Sequence, residues 1–426
     1  MSAAVSRLMV ALVVALGTSS ASAQTLKEFL DAADTNNVDH RVTIEQRNKA
    51  AADFRAAWTA MLPYFTAQGS YTHNQYAAEA SLPNGMGGVT KLVIQPADQV
   101  AGTFRFDLPL IDTTRWFRAA AADSAREGAQ FRELVTRDLV RRQVAASYFG
   151  YAASLAVLQS ARRSVDVAEA QLKLMEVRSS AGSSTELDLL RSKAEVARTR
   201  QTVADAVSLV ATSKRTLRTL TGVEPADDIA IPADDVHPEA DLASLEGRIE
   251  ELPALKAAGA DRDGANRAAT LSKLAIVPIV GAQFTEQVTN ATGFTGKATA
   301  FNTGLYFQWR LDVPTFMNMQ SQDSTVATAD LAIDRARLQA RDQVNADYQR
   351  LTAALTKIDS ARAQVEAARR AAQVAKDRYA AGVATQVDVI QAERDLFSAE
   401  VGQIQARTEL ATARASLHIS AAMPLD

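Results

Sequence analysis

The chain has no cysteine. That excludes a disulfide-stapled scaffold, a thiolate metal centre and a cysteine nucleophile. It also excludes the acylated cysteine that anchors a lipoprotein. Long apolar runs are missing too. After the first two dozen residues no stretch approaches the roughly 18 apolar residues of a transmembrane helix. If the protein enters a membrane, it does so with strands. Histidine is scarce: His40, His73, His237 and His418 are scattered over separate elements, with no pair at ligand spacing. Neither a nucleophile–base pair nor a ligand cluster stands out, so no enzyme, metal or cofactor is expected. A strong charge imbalance is also absent. The formal net charge is −3, which argues against a nucleic-acid surface.

What is present begins with a leader. Arg7 supplies a positive n-region, Leu8 to Leu16 an apolar h-region, and Ala21-Ser22-Ala23 a small-residue cleavage site. Residues 1–23 therefore read as a signal peptide, and its removal with Arg7 takes the net charge to −4. The protein is expected to be exported.

The remainder repeats itself. "RSSAGSSTELDLLRSKAEVARTR" (Arg178 to Arg200) aligns without a gap on "RYAAGVATQVDVIQAERDLFSAE" (Arg378 to Glu400), 200 positions later. Arg178/Arg378, Ala181/Ala381, Gly182/Gly382, Thr185/Thr385 and Asp188/Asp388 are identical pairs. The same offset pairs Gln143/Gln343, Val144/Val344, Tyr148/Tyr348 and Leu155/Leu355. Within each copy apolar positions step by seven. Val144, Tyr151, Leu158, Val165 and Leu172 match Val344, Leu351, Ile358, Val365 and Ala372; Leu189 to Leu217 and Val389 to Leu417 do likewise on the return. A sustained heptad means long helices joined along a seam. Gly182 and Gly382 can take the left-handed conformation that ends a helix. Thr185-x-x-Asp188 and Thr385-x-x-Asp388 then read as capping boxes that start the next one. Each stretch is thus the tip of an antiparallel helical hairpin. A helix from Thr113 to Arg178 would span roughly 100 Å, too long for a compact domain.

Before each hairpin lies a pair of candidate strands, at about 64–76 and 100–112, then 279–288 and 301–313. Phe301, Leu305, Phe307, Trp309 and Leu311 alternate with Asn302, Tyr306, Gln308, Arg310 and Asp312. Phe104, Phe106 and Leu108 alternate with Thr103, Arg105 and Asp107. This period of two, apolar against polar, predicts a sheet between lipid and water. Leu82–Asp98 and Thr289–Ala298 read as the intervening loops. Four strands cannot close a barrel, and an open edge in lipid leaves backbone groups unpaired, so an obligate homo-oligomer is expected. The chain divides into a first repeat, 24–222, an acidic Pro-containing linker, 223–240, and a second repeat, 241–426. The fold class is mainly α with a four-stranded transmembrane β contribution, the strand–strand–long hairpin unit being duplicated.

A signal peptide followed twice by helix, strand pair and long hairpin with an R-x-x-x-G-x-x-x-x-x-D tip resembles the TolC family of outer-membrane efflux proteins. "TLRTLTG" (Thr216 to Gly222) closing the first hairpin adds to the likeness. The resemblance covers essentially the whole mature chain. It implies a homotrimer with a twelve-stranded barrel in outer-membrane lipid, continued by an α-helical barrel through the periplasm. It also implies tips that meet a periplasmic adaptor (a membrane fusion protein) coupled to an inner-membrane transporter. Arg178, Gly182, Thr185, Asp188, Arg378, Gly382 and Thr385 are the adaptor-contacting candidates. At the periplasmic gate, Asp388 matches the first of two inward carboxylates in the family, and Tyr379 matches a nearby aromatic. Gln391 stands where the second carboxylate is expected, and Ala384 where some members carry a basic partner.

Plainer roles stand beside these. Asp188 and Asp388 can cap helices, and Arg178 and Arg378 can neutralise helix C-termini. Met317 and Met319 suit helix-start packing better than a soft-metal site. Asn84 to Gly88 lacks the setting of a phosphate loop. The functional expectation is a passive exit duct for small-molecule efflux or type I protein secretion, in the cell outer membrane. The alternative is a periplasmic structural or adaptor-like coiled-coil protein that never inserts.

Overall fold

The computed structural model describes residues 24–83, 85, 87–227, 229, 235–309 and 312–425. The expected signal peptide, 1–23, lies outside the described residues, as do Arg310 and Leu311 and residues 228 and 230–234 of the linker.

In chain order the elements are α1 (Leu26–Asn36), α2 (Val38–Thr59), β1 (Tyr64–His73), β2 (Ala78–Pro83), β3 (Val89–Gln95), β4 (Asp98–Ile111), α3 (Thr113–Ser180) and α4 (Glu186–Thr221). There follow α5 (Leu242–Glu246), α6 (Pro253–Lys273), β5 (Ile279–Thr289), β6 (Thr299–Gln308), α7 (Val313–Ala380) and α8 (Gln386–Ser420). The two long helices α3 and α7 have 68 residues each, a rise of about 100 Å. Among the described residues no helix is long and apolar enough to cross a membrane.

Each long helix starts on an aspartate. Asp112 accepts hydrogen bonds from the N–H groups of Thr114 and Arg115, and Asp312 from that of Thr315. The second of these corrects a sequence expectation. The strand read over Phe301–Val313 stops at Gln308, because Asp312 and Pro314 begin a helix instead. Trp309 consequently stands beyond β6 and donates its indole N–H to the Ile276 carbonyl at 2.9 Å. A second correction concerns Leu82–Asp98, expected to be a loop. It contains the end of β2 and all of β3, which pair as a separate hairpin. Gly85 and Gly87, at φ +68° and +82°, supply its reversal.

Both long helices close alike. The N–H of Gly182 bonds the Ser179 carbonyl and that of Ser183 the Arg178 carbonyl; Gly382 and Val383 repeat this on Tyr379 and Arg378. With φ of +70° and +75° at the two glycines, these are paired Schellman closures. The returning helices pack along the heptad seam. Val344, Leu351, Ile358, Val365 and Ala372 on α7 are all buried, as are Val389, Leu410 and Leu417 on α8. In the first half Val144, Tyr151, Leu158, Val196 and Leu217 are buried, while Met175 rather than Leu172 fills the seam near the tip.

The four remaining strands form one antiparallel sheet in the order β1-β4-β5-β6. Its register places Phe65 beside Phe106, Phe106 beside Phe284, and Leu108 beside Ala282, which lies beside Leu305. Phe104, Phe301 and Phe307 lie on that face as well. The opposite face carries Thr66, Gln68, Thr103, Arg105, Asp107, Gln283, Thr285, Gln287 and Asn302. Large apolar groups on the first face are exposed, Phe301 at 72% and Leu305 at 77%. Such a surface is unstable against water and stable against lipid.

Between the halves, the described end of the linker is strapped to α8. The Arg414 guanidinium donates to the carbonyls of Asp235 and His237 and to Glu239, which also meets His418 at 3.1 Å.

Candidate gate at the hairpin tips

The two tips are not equivalent. At the second, Thr385 Oγ1 accepts from the Asp388 N–H while Asp388 Oδ2 accepts from the Thr385 N–H at 2.7 Å and hydroxyl at 2.8 Å. The box is complete. At the first, Thr185 Oγ1 accepts from the Asp188 N–H, but Asp188 Oδ2 meets only the Thr185 hydroxyl, at 2.6 Å. The expectation of two matching boxes is corrected there: Asp188 lacks the bond to its own cap N–H, and its other oxygen lies 3.7 Å from Arg191. Asp388 is exposed, and the Thr385 N–H, then its hydroxyl and more weakly Arg378, hold its carboxyl below the usual aspartate range. It presents a charged carboxylate at the end of the molecule.

Tyr379 does not stand free beside Asp388. It crosses to the first hairpin, donating its hydroxyl to Met175 Sδ at 3.1 Å, with the Arg178 guanidinium 4.9 Å from its ring centroid. The structure thus brings Tyr379 and Arg178 together, two residues assigned separate roles from sequence. Gln391 turns along its own helix and donates to Asp395 at 2.8 Å. Gly182, Gly382, Thr185 and Arg378 sit exposed at the ends of the hairpins. Val177, Leu187, Leu190 and Val383 surround them as exposed apolar residues.

Sequence reasoning missed the residues that fasten one tip to the other. Gln386, the first residue of α8, is buried. Its Oε1 accepts from Gln171 on α3 at 2.9 Å, and its Nε2 donates to Ser192 on α4 at 3.1 Å. Two turns on, Arg394 donates from Nε and Nη2 to Glu195 Oε2, at 3.1 and 2.5 Å, while Arg198 holds both oxygens of the same carboxylate. Burial alone would raise the Glu195 carboxyl, but the two guanidinium partners outweigh it and hold it below the usual glutamate range. Lys376 and Glu393 pair at 2.7 Å across α7 and α8. A signal existed: at the 200-residue offset Gln386 faces Glu186 and Arg394 faces Ala194. The fastening residues lie where the copies differ, whereas sequence comparison dwelt on where they agree.

Chemically, the tip is a set of breakable polar links between two rigid rods, ending in an exposed carboxylate. Among the described residues no group of three or more His, Asp or Glu side chains is arranged to hold a metal ion.

A family model described as outer membrane efflux protein matches residues 29–223 and 248–421. The fold is also that of several solved channels. The Campylobacter jejuni CmeC outer membrane channel is 14% identical, with a TM-score of 0.76 over 93% of this chain and 85% of that one. The Vibrio cholerae outer membrane protein VceC is 17% identical, with a TM-score of 0.74 over 94% and 97%. The open state of the Neisseria gonorrhoeae MtrE outer membrane channel is 16% identical, with a TM-score of 0.73 over 93% and 89%. At these identities the likeness is one of fold. No curated protein matches the sequence significantly.

Proposed function

Because the chain belongs to the outer membrane efflux protein family, we propose that it is the outer-membrane exit duct of a tripartite efflux or type I secretion system. It conducts passively, from a periplasmic adaptor and inner-membrane transporter to the exterior. The observation that carries this reading is the four-stranded sheet: apolar on one face but for Glu286 between Phe104 and Phe301, polar on the other, with two unpaired edges, on helices about 100 Å long.

The edges dictate assembly. β1 runs away from the helices and β6 runs back toward them, so β6 of one copy can continue antiparallel onto β1 of the next. Closure removes the edges that lipid would otherwise penalise. Four strands from each of three copies make twelve, an ordinary number for a bacterial barrel. The two halves then act as repeats of one unit, giving two hairpins per subunit to a periplasmic helical wall. Phe104, Phe106, Leu108, Phe301, Leu305 and Phe307 face lipid, while Thr103, Arg105, Gln283 and Thr285 face the lumen.

In this reading the second tip is the gate. Asp388 forms the charged ring at the mouth, and Tyr379, Gln386 and Arg394 tie α7 and α8 to the first hairpin in the closed state. The exposed Val177, Leu187, Leu190 and Val383 offer an adaptor an apolar landing around Gly182 and Gly382.

The experiment is fractionation with gel migration. An outer-membrane species that runs as an oligomer unheated and as a monomer, lighter than the 45.6 kDa full chain by its signal peptide, after boiling is expected. Recovery solely from the soluble periplasm would overturn the channel.

A further inference from the structure

The polar face of the sheet holds a buried carboxylate without a partner. Asp107, on β4, is 5% exposed, and its Oδ2 makes no hydrogen bond. In register it lies between Tyr64 on β1 and Gln283 on β5. Tyr306 on β6 leans over from the next rung. Its ring lies so flat on Gly281 that a Cβ there would meet the phenol carbon and oxygen at 2.4 Å. Gly281 pairs with Pro109, two residues from Asp107, so the Tyr306 hydroxyl is brought toward that carboxylate, and Tyr64, Asp107, Arg115 and Asp112 all lie within electrostatic reach of it.

Among the described residues the neighbouring cations are committed or distant. Arg115 donates to Asp112 at 2.8 Å and to the Ala60 carbonyl, with its guanidinium 5.4 Å from the Tyr64 ring centroid. Arg105 shares the face of Asp107 but lies two residues along the strand, opposite Thr66 and Thr285, and is exposed. Gln283 spends its N–H on Thr285 at 3.0 Å, which leaves its carbonyl oxygen as an acceptor. The set that remains is one carboxylate, two phenol oxygens and an amide oxygen, beside two aromatic faces. A buried carboxylate is costly unless something positive meets it. A single carboxylate is too little charge for a tight divalent site. Hard oxygens with aromatic faces suit a small monovalent cation, alkali or ammonium.

We propose that Asp107, Tyr64, Tyr306 and Gln283 form a monovalent-cation subsite in the lumen wall at the neck, where the barrel meets the helices. Repeated around the assembly it makes a ring that favours cations over anions. The proposal rests on the channel reading above.

The test is the reversal potential of the full-length protein in planar bilayers under a KCl gradient. An Asp388→Asn background silences the carboxylate assigned to the gate. The isosteric Asp107→Asn is expected to lower the potassium-to-chloride permeability ratio by about threefold, the scale of one screened wall charge. Tyr306→Phe, which keeps the ring on Gly281, lowers it by a smaller factor. Replacing potassium by ammonium preserves the ordering of the variants. An unchanged ratio in Asp107→Asn overturns the subsite. So does a ratio that changes only when Arg105→Gln is added, since Arg105 would then be the partner. Wild-type protein that inserts but never conducts removes the channel reading itself, and this subsite with it.

Discussion

Glu195 on the first hairpin and Arg394 on the second are joined through a 2.5 Å ion pair, and the same carboxylate is held by Arg198. The carboxylate is nearly buried, whereas both guanidinium groups remain reachable by water. Loss of Arg394 therefore leaves Glu195 charged and paired within its own helix, so the hairpin keeps its fold and only the cross-hairpin tie goes. Arg394→Ala is expected to cost about 1 kcal/mol, the scale of a half-exposed pair. Open probability in single-channel recordings should rise severalfold. An equally quiet channel would show that this pair is not a latch.

The same pair sets a pH direction. The Glu195 carboxyl is held below its ordinary value, so its contribution is complete above that value, about 4.3, and is lost as pH falls through the lower folded one. Spontaneous opening is accordingly expected to rise only in acid, below about pH 4. Arg394→Ala should flatten that rise. A pH response unchanged by the substitution would assign it to other carboxylates, Asp388 first.

Gln386 tests the tie from its buried end. Removing its amide leaves Gln171 without its acceptor and Ser192 without its donor in a largely buried seam. Gln386→Ala is expected to destabilise the tip by about 1–3 kcal/mol. Gln386→Glu, which copies Glu186 of the first tip, is expected to do no better, because a carboxylate cannot donate to Ser192. Hydrogen exchange of the tip amides measures both; protection equal to wild type would place Gln386 outside the fastening.

Much of this architecture was legible because it rests on periodicity and punctuation. The heptad of α7 names buried residues throughout, that of α8 does so at Val389, Leu410 and Leu417 but not at Leu396 or Gln403, and Gly182 and Gly382 mark the turns. Phe301, Leu305 and Phe307 fall on one face as their alternation predicts. What was illegible depends on contacts between segments far apart in sequence. Nothing near Gln386 announces Gln171, 215 residues earlier. Tyr379 looked like a gate aromatic because only its own tip was in view, and its hydroxyl meets Met175, 204 residues away. The end of β6 was misjudged because an apolar Val313 continues the strand pattern, while the capping by Asp312 that starts α7 overrides it.

Asp388 and Asp188 form a matched pair for separating gate from cap. Both sit at the third helical position after a threonine, but only Asp388 closes its box on the backbone, and it is the more exposed of the two. If charge at the mouth controls passage, Asp388→Ala changes single-channel conductance and cation preference while Asp188→Ala leaves both near wild type. Equal effects from the two substitutions would reduce Asp388 to a capping residue.

The barrel makes the last demand. Phe106 lies between Phe65 and Phe284 in the sheet register, midway along β4, so its ring is expected near the centre of the lipid-facing band. Phe106→Lys is expected to destabilise the assembled barrel by about 2–4 kcal/mol, the depth-dependent penalty for a cation against lipid. Arg105→Lys, one residue away on the polar face, should be nearly silent. Heat-modifiable gel migration reads both: Phe106→Lys should lose its oligomer at a lower temperature, with Arg105→Lys following wild type. The opposite order would turn the sheet over and put Asp107 against lipid. It would therefore refute the lipid assignment and the neck subsite together.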